Sequence, residues 1–166
     1  MEKLWSPWRS KYIESFKSGG DNSGCIFCRM LDLDVSDLKN LLVDKGEKTI
    51  TVLNLYPYNN GHLMIIPKRH TNDFSGLAKD EISECFTKLQ QAEKALTKVL
   101  HPHGFNIGAN IGRVAGAGIE EHIHFHIVPR WNGDSNFMPV IGEVKVISQD
   151  LAETKSKLLA AYADQN

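Results

Sequence analysis

His122-Ile123-His124-Phe125-His126-Ile127-Val128 alternates an imidazole with an apolar side chain. In an extended chain successive side chains leave on opposite faces, so the three histidines project together while Ile123, Phe125 and Ile127 enter a core. The spacing predicts a β-strand over 122–128, with a reactive face on an apolar backing. Just upstream runs Gly112-Arg113-Val114-Ala115-Gly116-Ala117-Gly118, a loop of little side-chain bulk whose backbone N–H groups can approach an anion. An imidazole row behind such a loop points to phosphate chemistry.

The three histidines do not by themselves make a metal site. At about 3.3 Å per residue His122 and His126 leave the backbone roughly 13 Å apart, whereas two nitrogens on one tetrahedral zinc lie only about 3.4 Å apart. A strand that merely carries histidines on its solvent face is the plainer alternative, and three in register behind a Gly-rich loop argue against it. With a reference pKa near 6.5 an imidazole is mostly neutral at pH 7, and so serves as a nucleophile or a proton carrier without a cofactor.

The 166 residues suit one domain with a substantial core, and 42% hydrophobic with 23% charged residues is an ordinary globular balance. The net charge of −1 provides no general field for nucleic acid or an anionic membrane, so any phosphate affinity is local. Glu2, Lys3, Arg9, Lys11 and Glu14 interrupt the apolar residues of the N-terminal stretch, and no signal-peptide core or membrane span can be drawn. The chain reads as cytoplasmic, with no nucleic-acid or membrane partner. Three cysteines are too few and odd in number for a disulfide framework. Cys85 falls in a helical pattern as a core residue. Cys25 and Cys28 form a C-x-x-C that reads equally as a redox pair, half of a zinc site or two buried small residues.

Trp5, Trp8, Tyr12 and Phe16 are spaced for one face of a short helix or an irregular arm, which sets residues 1–24 apart from a domain over 25–166. Leu38–Val43 and Lys48–Leu53 read as a hairpin turning at Asp44-Lys45-Gly46-Glu47, and His62–Ile66 as a strand closed by Pro67. Ile82, Phe86, Leu89, Leu96, Val99 and Leu100 recur at helical spacing, predicting a long helix over 77–100 that Pro102 and Gly104 end. Phe105–Ile111 reads as a strand feeding the Gly-rich loop, Val144–Ile147 as a short strand, and 150–163 as a terminal helix with Leu151, Leu158, Leu159 and Tyr162 inward. This order predicts an α+β domain, an antiparallel sheet with helices on one face.

Residues 122–128 resemble the His-φ-His-φ-His-φ-φ signature of the histidine triad superfamily. Val52-Leu53-Asn54-Leu55-Tyr56-Pro57, Asn60-Gly61-His62-Leu63, Ile66-Pro67-Lys68-Arg69-His70 and the stretch from Val128 to Met138 resemble other segments of it. With Leu4-Trp5-Ser6-Pro7-Trp8-Arg9 and Cys25-Ile26-Phe27-Cys28 they are similar to the bacterial branch of diadenosine tetraphosphate phosphorylases and relatives of the fragile-histidine-triad hydrolases. The resemblance implies a five-stranded antiparallel sheet with a long helix and a C-terminal helix, paired as a homodimer. It implies attack on the α-phosphate of a nucleotide substrate by His124, through a nucleotidyl-histidine resolved by water or phosphate. A neutral imidazole suits this role because it attacks without prior deprotonation and splits one hard displacement into two.

The same resemblance places His126 on phosphate oxygens or the leaving group, and the backbone of Gly116, Ala117 and Gly118 with Asn110 on the non-bridging oxygens. Asn54 matches a ribose-contacting position and His62 the Gly-His of the next strand, both nucleotide-binding residues by this reading. Cys25, Cys28, His70 and His122 match a closed structural zinc site. A divalent cation arriving on the substrate polyphosphate is the one further ion implied. His101-Pro102-His103-Gly104 resembles an active-site motif of uridylyltransferases, but Phe105 follows where they have Gln, so these histidines are left out of the site. Gly118 stands where many relatives have Gln or Ser, leaving hydrolysis against phosphorolysis open. Glu120 and Glu121 are expected to point away from the phosphates. A phosphoramidase or nucleotidyl-amino-acid hydrolase is the second enzymatic reading, and a non-catalytic nucleotide-binding module the third.

Overall fold

The computed structural model describes residues 24–134 and 150–165; nearly all of the arm over 1–24 and the strand expected at 144–147 lie outside the described residues. A one-turn helix α1 (Ile26–Arg29) and a 3-10 turn (Met30–Asp32) lead into β1 (Leu42–Lys45), β2 (Thr49–Leu53) and β3 (Leu63–Pro67). The long helix α2 (Lys79–Leu100), β4 (Gly104–Ala109), β5 (Phe125–Arg130) and helix α3 (Leu151–Ala163) follow. The strands form a five-stranded sheet in the order β1-β2-β3-β5-β4, antiparallel at every pairing, so β5 lies inside the sheet and β4 at its edge. This is the expected α+β architecture.

Strand β1 starts at Leu42 rather than Leu38. The carboxylates of Asp34 and Asp37 and the amide oxygen of Asn40 accept from the N–H groups of Ser36 at 2.8 Å, Lys39 at 3.0 Å and Leu42 at 2.9 Å. Such local bonds give the backbone an alternative to the ladder. On α2 the buried stripe is Glu81, Cys85, Leu89, Ala92, Ala95 and Leu96, which leaves Ile82 38% and Phe86 59% exposed although both belong to the apolar set read at helical spacing. Small residues let the helix lie close on the sheet, and they carry little weight in a hydrophobic periodicity. Glu81 is buried because its carboxylate accepts from Arg69 Nε at 2.9 Å, Arg69 Nη2 at 2.7 Å and the Ala78 N–H at 2.8 Å. Helix α3 is capped by Asp150 and buries Lys155, whose ammonium donates to the carbonyls of Asp37 and Asn40 at 2.7 and 3.2 Å.

The histidine stretch enters the ladder only at Phe125: there β4 ends, Ala109 pairing with Phe125, and the pairing with β3 also ends, at Ile65, although β3 itself runs on to Pro67 beside β2. Upstream the chain is held outside the sheet, with the Ile123 N–H donating to the Thr71 carbonyl at 2.7 Å. The alternation survives. Ile123, Phe125 and Ile127 join the core under α2 and α3, and the histidines occupy the opposite face. There Phe27 of α1 packs with Leu42, Ile50, Val52, Met64 and Ile66, so both sheet faces are covered.

Candidate active site

All three triad histidines are buried, His122 at 1%, His124 at 6% and His126 at 9% exposure, as deeply as the apolar residues between them. Phe27 packs between the first two, its ring centroid 5.5 Å from His122 and 5.1 Å from His124. Burial lowers all three imidazole pKa values, His126 to about 4 with help from the neighbouring His124. The rings are therefore neutral at pH 7, and each carries one N–H and one lone pair.

Which nitrogen carries the hydrogen follows from the partners. A carbonyl can only accept, so His124 Nδ1, 2.9 Å from the His122 carbonyl oxygen, holds the hydrogen and leaves the lone pair on Nε2. His122 Nε2 lies 2.7 Å from the Pro67 carbonyl and donates to it, leaving its lone pair on Nδ1. The Tyr58 N–H donates to His62 Nδ1 at 3.0 Å, and the Asn54 amide nitrogen lies 3.3 Å from the same atom. His62 thus carries its hydrogen on Nε2 and gives it to His126 Nδ1 at 2.9 Å. His126 is left with an Nε2–H that is buried and has no hydrogen-bond partner among the described residues. One imidazole presents a nucleophilic lone pair and its neighbour a donor, ring centroids 4.9 Å apart.

At the other end of the row, Cys25 Sγ and Cys28 Sγ lie 3.2 and 3.7 Å from His122 Nδ1, and Cys28 Sγ lies 3.4 Å from His70 Nδ1. These four ligand atoms all fall within 4.8 Å of one another. Edges of a tetrahedron around zinc with sulfur and nitrogen ligands are roughly 3.3–3.8 Å, and the Pro67 carbonyl turns the bare Nδ1 of His122 inward, as a metal ligand requires. Burial and the neighbouring Cys25 raise the Cys28 pKa, a penalty that a cation between the thiolates removes. The donor set fits a closed zinc site.

The Gly-rich loop leaves the sheet beside the triad, since Ala109 pairs with Phe125 and Asn110 follows at once. Gly112 and Gly116 take φ of 80° and 95°, a region that favours glycine, and the Asn110 amide reaches the Gly116 carbonyl at 3.5 Å. Ala117 is buried and Gly118 exposed. Glu120 and Glu121 are exposed, Glu120 lying 3.9 Å from Arg113. His101 forms the left-handed cap of α2 and His103 accepts from the Asn132 N–H, so both stay at the helix end as read. The sequence reading overlooked Phe27 and Tyr58; their only signal was an aromatic residue inside the C-x-x-C and another in the loop before His62.

Residues 36–133 match the HIT domain family. The chain is 39% identical to a Mycobacterium tuberculosis protein named AP-4-A phosphorylase, over 99% of this chain and 86% of that one. It is 29% identical to adenosine 5'-monophosphoramidase hnt1 of Schizosaccharomyces pombe, over 65% of this chain and 75% of the relative. Among solved structures, a zinc-bound histidine triad family protein from Mycobacterium smegmatis superposes with a TM-score of 0.68 at 29% identity, covering 86% of this chain and 95% of that one. Histidine row, sheet order and matched residues agree: the chain belongs to the HIT, or histidine triad, domain family, and is a nucleotide hydrolase or transferase of that family.

Proposed function

We propose that the protein cleaves dinucleoside polyphosphates, diadenosine tetraphosphate foremost, by nucleophilic attack of His124 on the α-phosphorus. The observation that carries this is the pair of opposed tautomers, a lone pair on His124 Nε2 beside a donor on His126 Nε2. In the first step the Nε2–P bond forms and the P–O bond to the polyphosphate breaks, the electron pair leaving with that oxygen. His124 keeps its Nδ1–H, so the nucleotidyl ring is cationic, and the His122 carbonyl steadies it. In the second step water or inorganic phosphate attacks phosphorus, the pair returns to Nε2, and the proton of an attacking water passes to solvent.

His126 acts by holding the leaving oxygen through its Nε2–H. A neutral imidazole with its pKa depressed to about 4 is a poor source of a whole proton. A polyphosphate leaves as an anion and needs none, whereas an amine does; this favours the polyphosphate reading over the phosphoramidase one. Asn110 and the backbone of Gly116, Ala117 and Gly118 hold the non-bridging oxygens, Asn54 lies toward the ribose, and His62, fully buried, serves the nucleotide through His126. A divalent cation on the substrate tempers its charge.

Zinc bound by Cys25, Cys28, His70 and His122 would lock the residue whose carbonyl orients His124, a structural role with no open position for substrate. Two copies pair through the exposed edge of β4, where Ile107 is 54% exposed. No helix among the described residues is long and apolar enough to cross a membrane.

Incubation with diadenosine tetraphosphate, with and without inorganic phosphate, tests the reading. ADP with ATP marks phosphorolysis and AMP with ATP hydrolysis; full activity in His124→Ala ends the proposal.

A further inference from the structure

Past His126 the same strand face continues through Val128 to Arg130, and there the surface opens into a cavity of about 270 Å³ lined by Tyr58, Asn59, Asn106, Val128, Arg130 and Asp134. We propose that this cavity is the subsite for the leaving nucleotide and that it receives that nucleotide's base. The proposal rests on the reading of His124 and His126 given above.

Direction is the first argument. In an in-line displacement the leaving oxygen departs opposite the attacking nitrogen, from His124 toward His126. The Gly-rich loop stands at the other end of β5, beyond the Ala109–Phe125 pair, whereas the cavity lies toward the Arg130–Gly104 pair. Tyr58 joins the two regions, its ring centroid 6.0 Å from that of His126. From His126 to Arg130 the strand advances about 13 Å, a span that several phosphate units bridge and a mononucleotide with a small leaving group does not.

Charge is the second. Arg130 donates from Nε and Nη2 to Asp134 at 2.6 and 2.8 Å, and from Nη1 to the Asn106 amide oxygen at 2.6 Å. The carboxylate cancels the guanidinium, so the floor of the cavity is not a phosphate clamp. These bonds lie in the plane of the guanidinium and hold it flat, and a flat guanidinium stacks well on a ring. Tyr58, 49% exposed, supplies an aromatic wall. Asn106 Nδ2 offers donors to a base edge, its Oδ1 being turned to Arg130. A base is flat, aromatic and uncharged, which is what this lining recognises.

The test compares two substrates that share the attacked nucleotide. Diadenosine tetraphosphate fills the cavity, while adenosine 5′-phosphofluoridate has a one-atom leaving group and does not reach it. Asn106→Trp, which fills the cavity, should lower kcat/KM for diadenosine tetraphosphate about tenfold or more, the range expected for loss of one stacked base, and leave the fluoridate within about twofold. Asn106→Ala should raise KM for the dinucleotide alone, and it decides the matter if the Trp variant does not fold. Equal losses on both substrates, or none on either, overturn the subsite. Wild-type protein that cleaves neither substrate sinks the active-site reading instead.

Discussion

His62 Nε2 lies 2.9 Å from His126 Nδ1, and the direction of that hydrogen bond is settled by the Tyr58 N–H on the far side of His62. His126, which the proposed mechanism places at the leaving group, is thereby presented as a donor. His62→Ala removes the donor to Nδ1 and lets His126 take the other tautomer; His62→Gln restores an amide N–H. We expect kcat to fall about 10²-fold or more in the Ala variant, with partial rescue by Gln and nucleotide KM little changed. Unchanged kcat in the Ala variant excludes the relay.

His124→Ala should cut turnover by about 10³-fold or more while nucleotide binding persists, since the ring supplies the bond-forming pair. Steady-state turnover beside calorimetric binding of AMP distinguishes this from misfolding.

The depressed pKa of His126, about 4, has a signed consequence. Between about 4 and the ordinary value near 6.5 the unfolded chain binds the proton and the folded chain does not, so stability contributed by this group rises with pH through that window and is lost below it. Histidine ¹⁵N shifts followed from pH 8 to 4 should keep the His126 Nε2–H pattern down to about pH 5. Titration near 6.5 contradicts the burial argument.

The Arg69–Glu81 clamp makes the opposite kind of prediction. Contact with Arg69, first of all, holds the Glu81 carboxyl at about 2, below its ordinary 4.5. Its contribution is full above the ordinary value and is lost as pH falls through about 2. Glu81→Gln should cost about 1–2 kcal/mol at pH 7, a lowering of Tm by several degrees, and the gap from wild type should close as pH drops toward 2. Thermal melts at pH 7, 4 and 2.5 check it.

Protein purified without chelator should carry one zinc per chain by elemental analysis, and Cys25→Ala or His70→Ala should lose it. Protein that carries no zinc while Cys25 and Cys28 are reduced would remove that part of the proposal.

The sheet was legible in the sequence where side-chain period and backbone agree. The inward set Ile123, Phe125 and Ile127 follows from alternation alone, and the strand read over His62–Ile66 and found at Leu63–Pro67 follows from an apolar run bounded by Gly61 and Pro67. The start of β1 was not, because Asp34, Asp37 and Asn40 bond their own backbone, and a hydrophobicity pattern does not register such bonds. Nor was the buried stripe of α2, where Ala92 and Ala95 pack while Phe86, a member of the apolar periodicity, stays exposed. Of the site, the row of histidines and the cysteine pair could be read directly, and resemblance named their companions. The tautomers could not, because they depend on where the carbonyls of His122 and Pro67 and the N–H of Tyr58 end up after folding.

In the proposed mechanism, the start of the chain of imidazoles at a peptide nitrogen bears on every catalytic cycle. An amide hydrogen does not ionise in the working range of pH, and no exchange of side chain at position 58 short of proline deletes it. After product departs, His62 and His126 return to a single proton arrangement without any group having to be recharged from solvent, so successive turnovers start from the same chemical state.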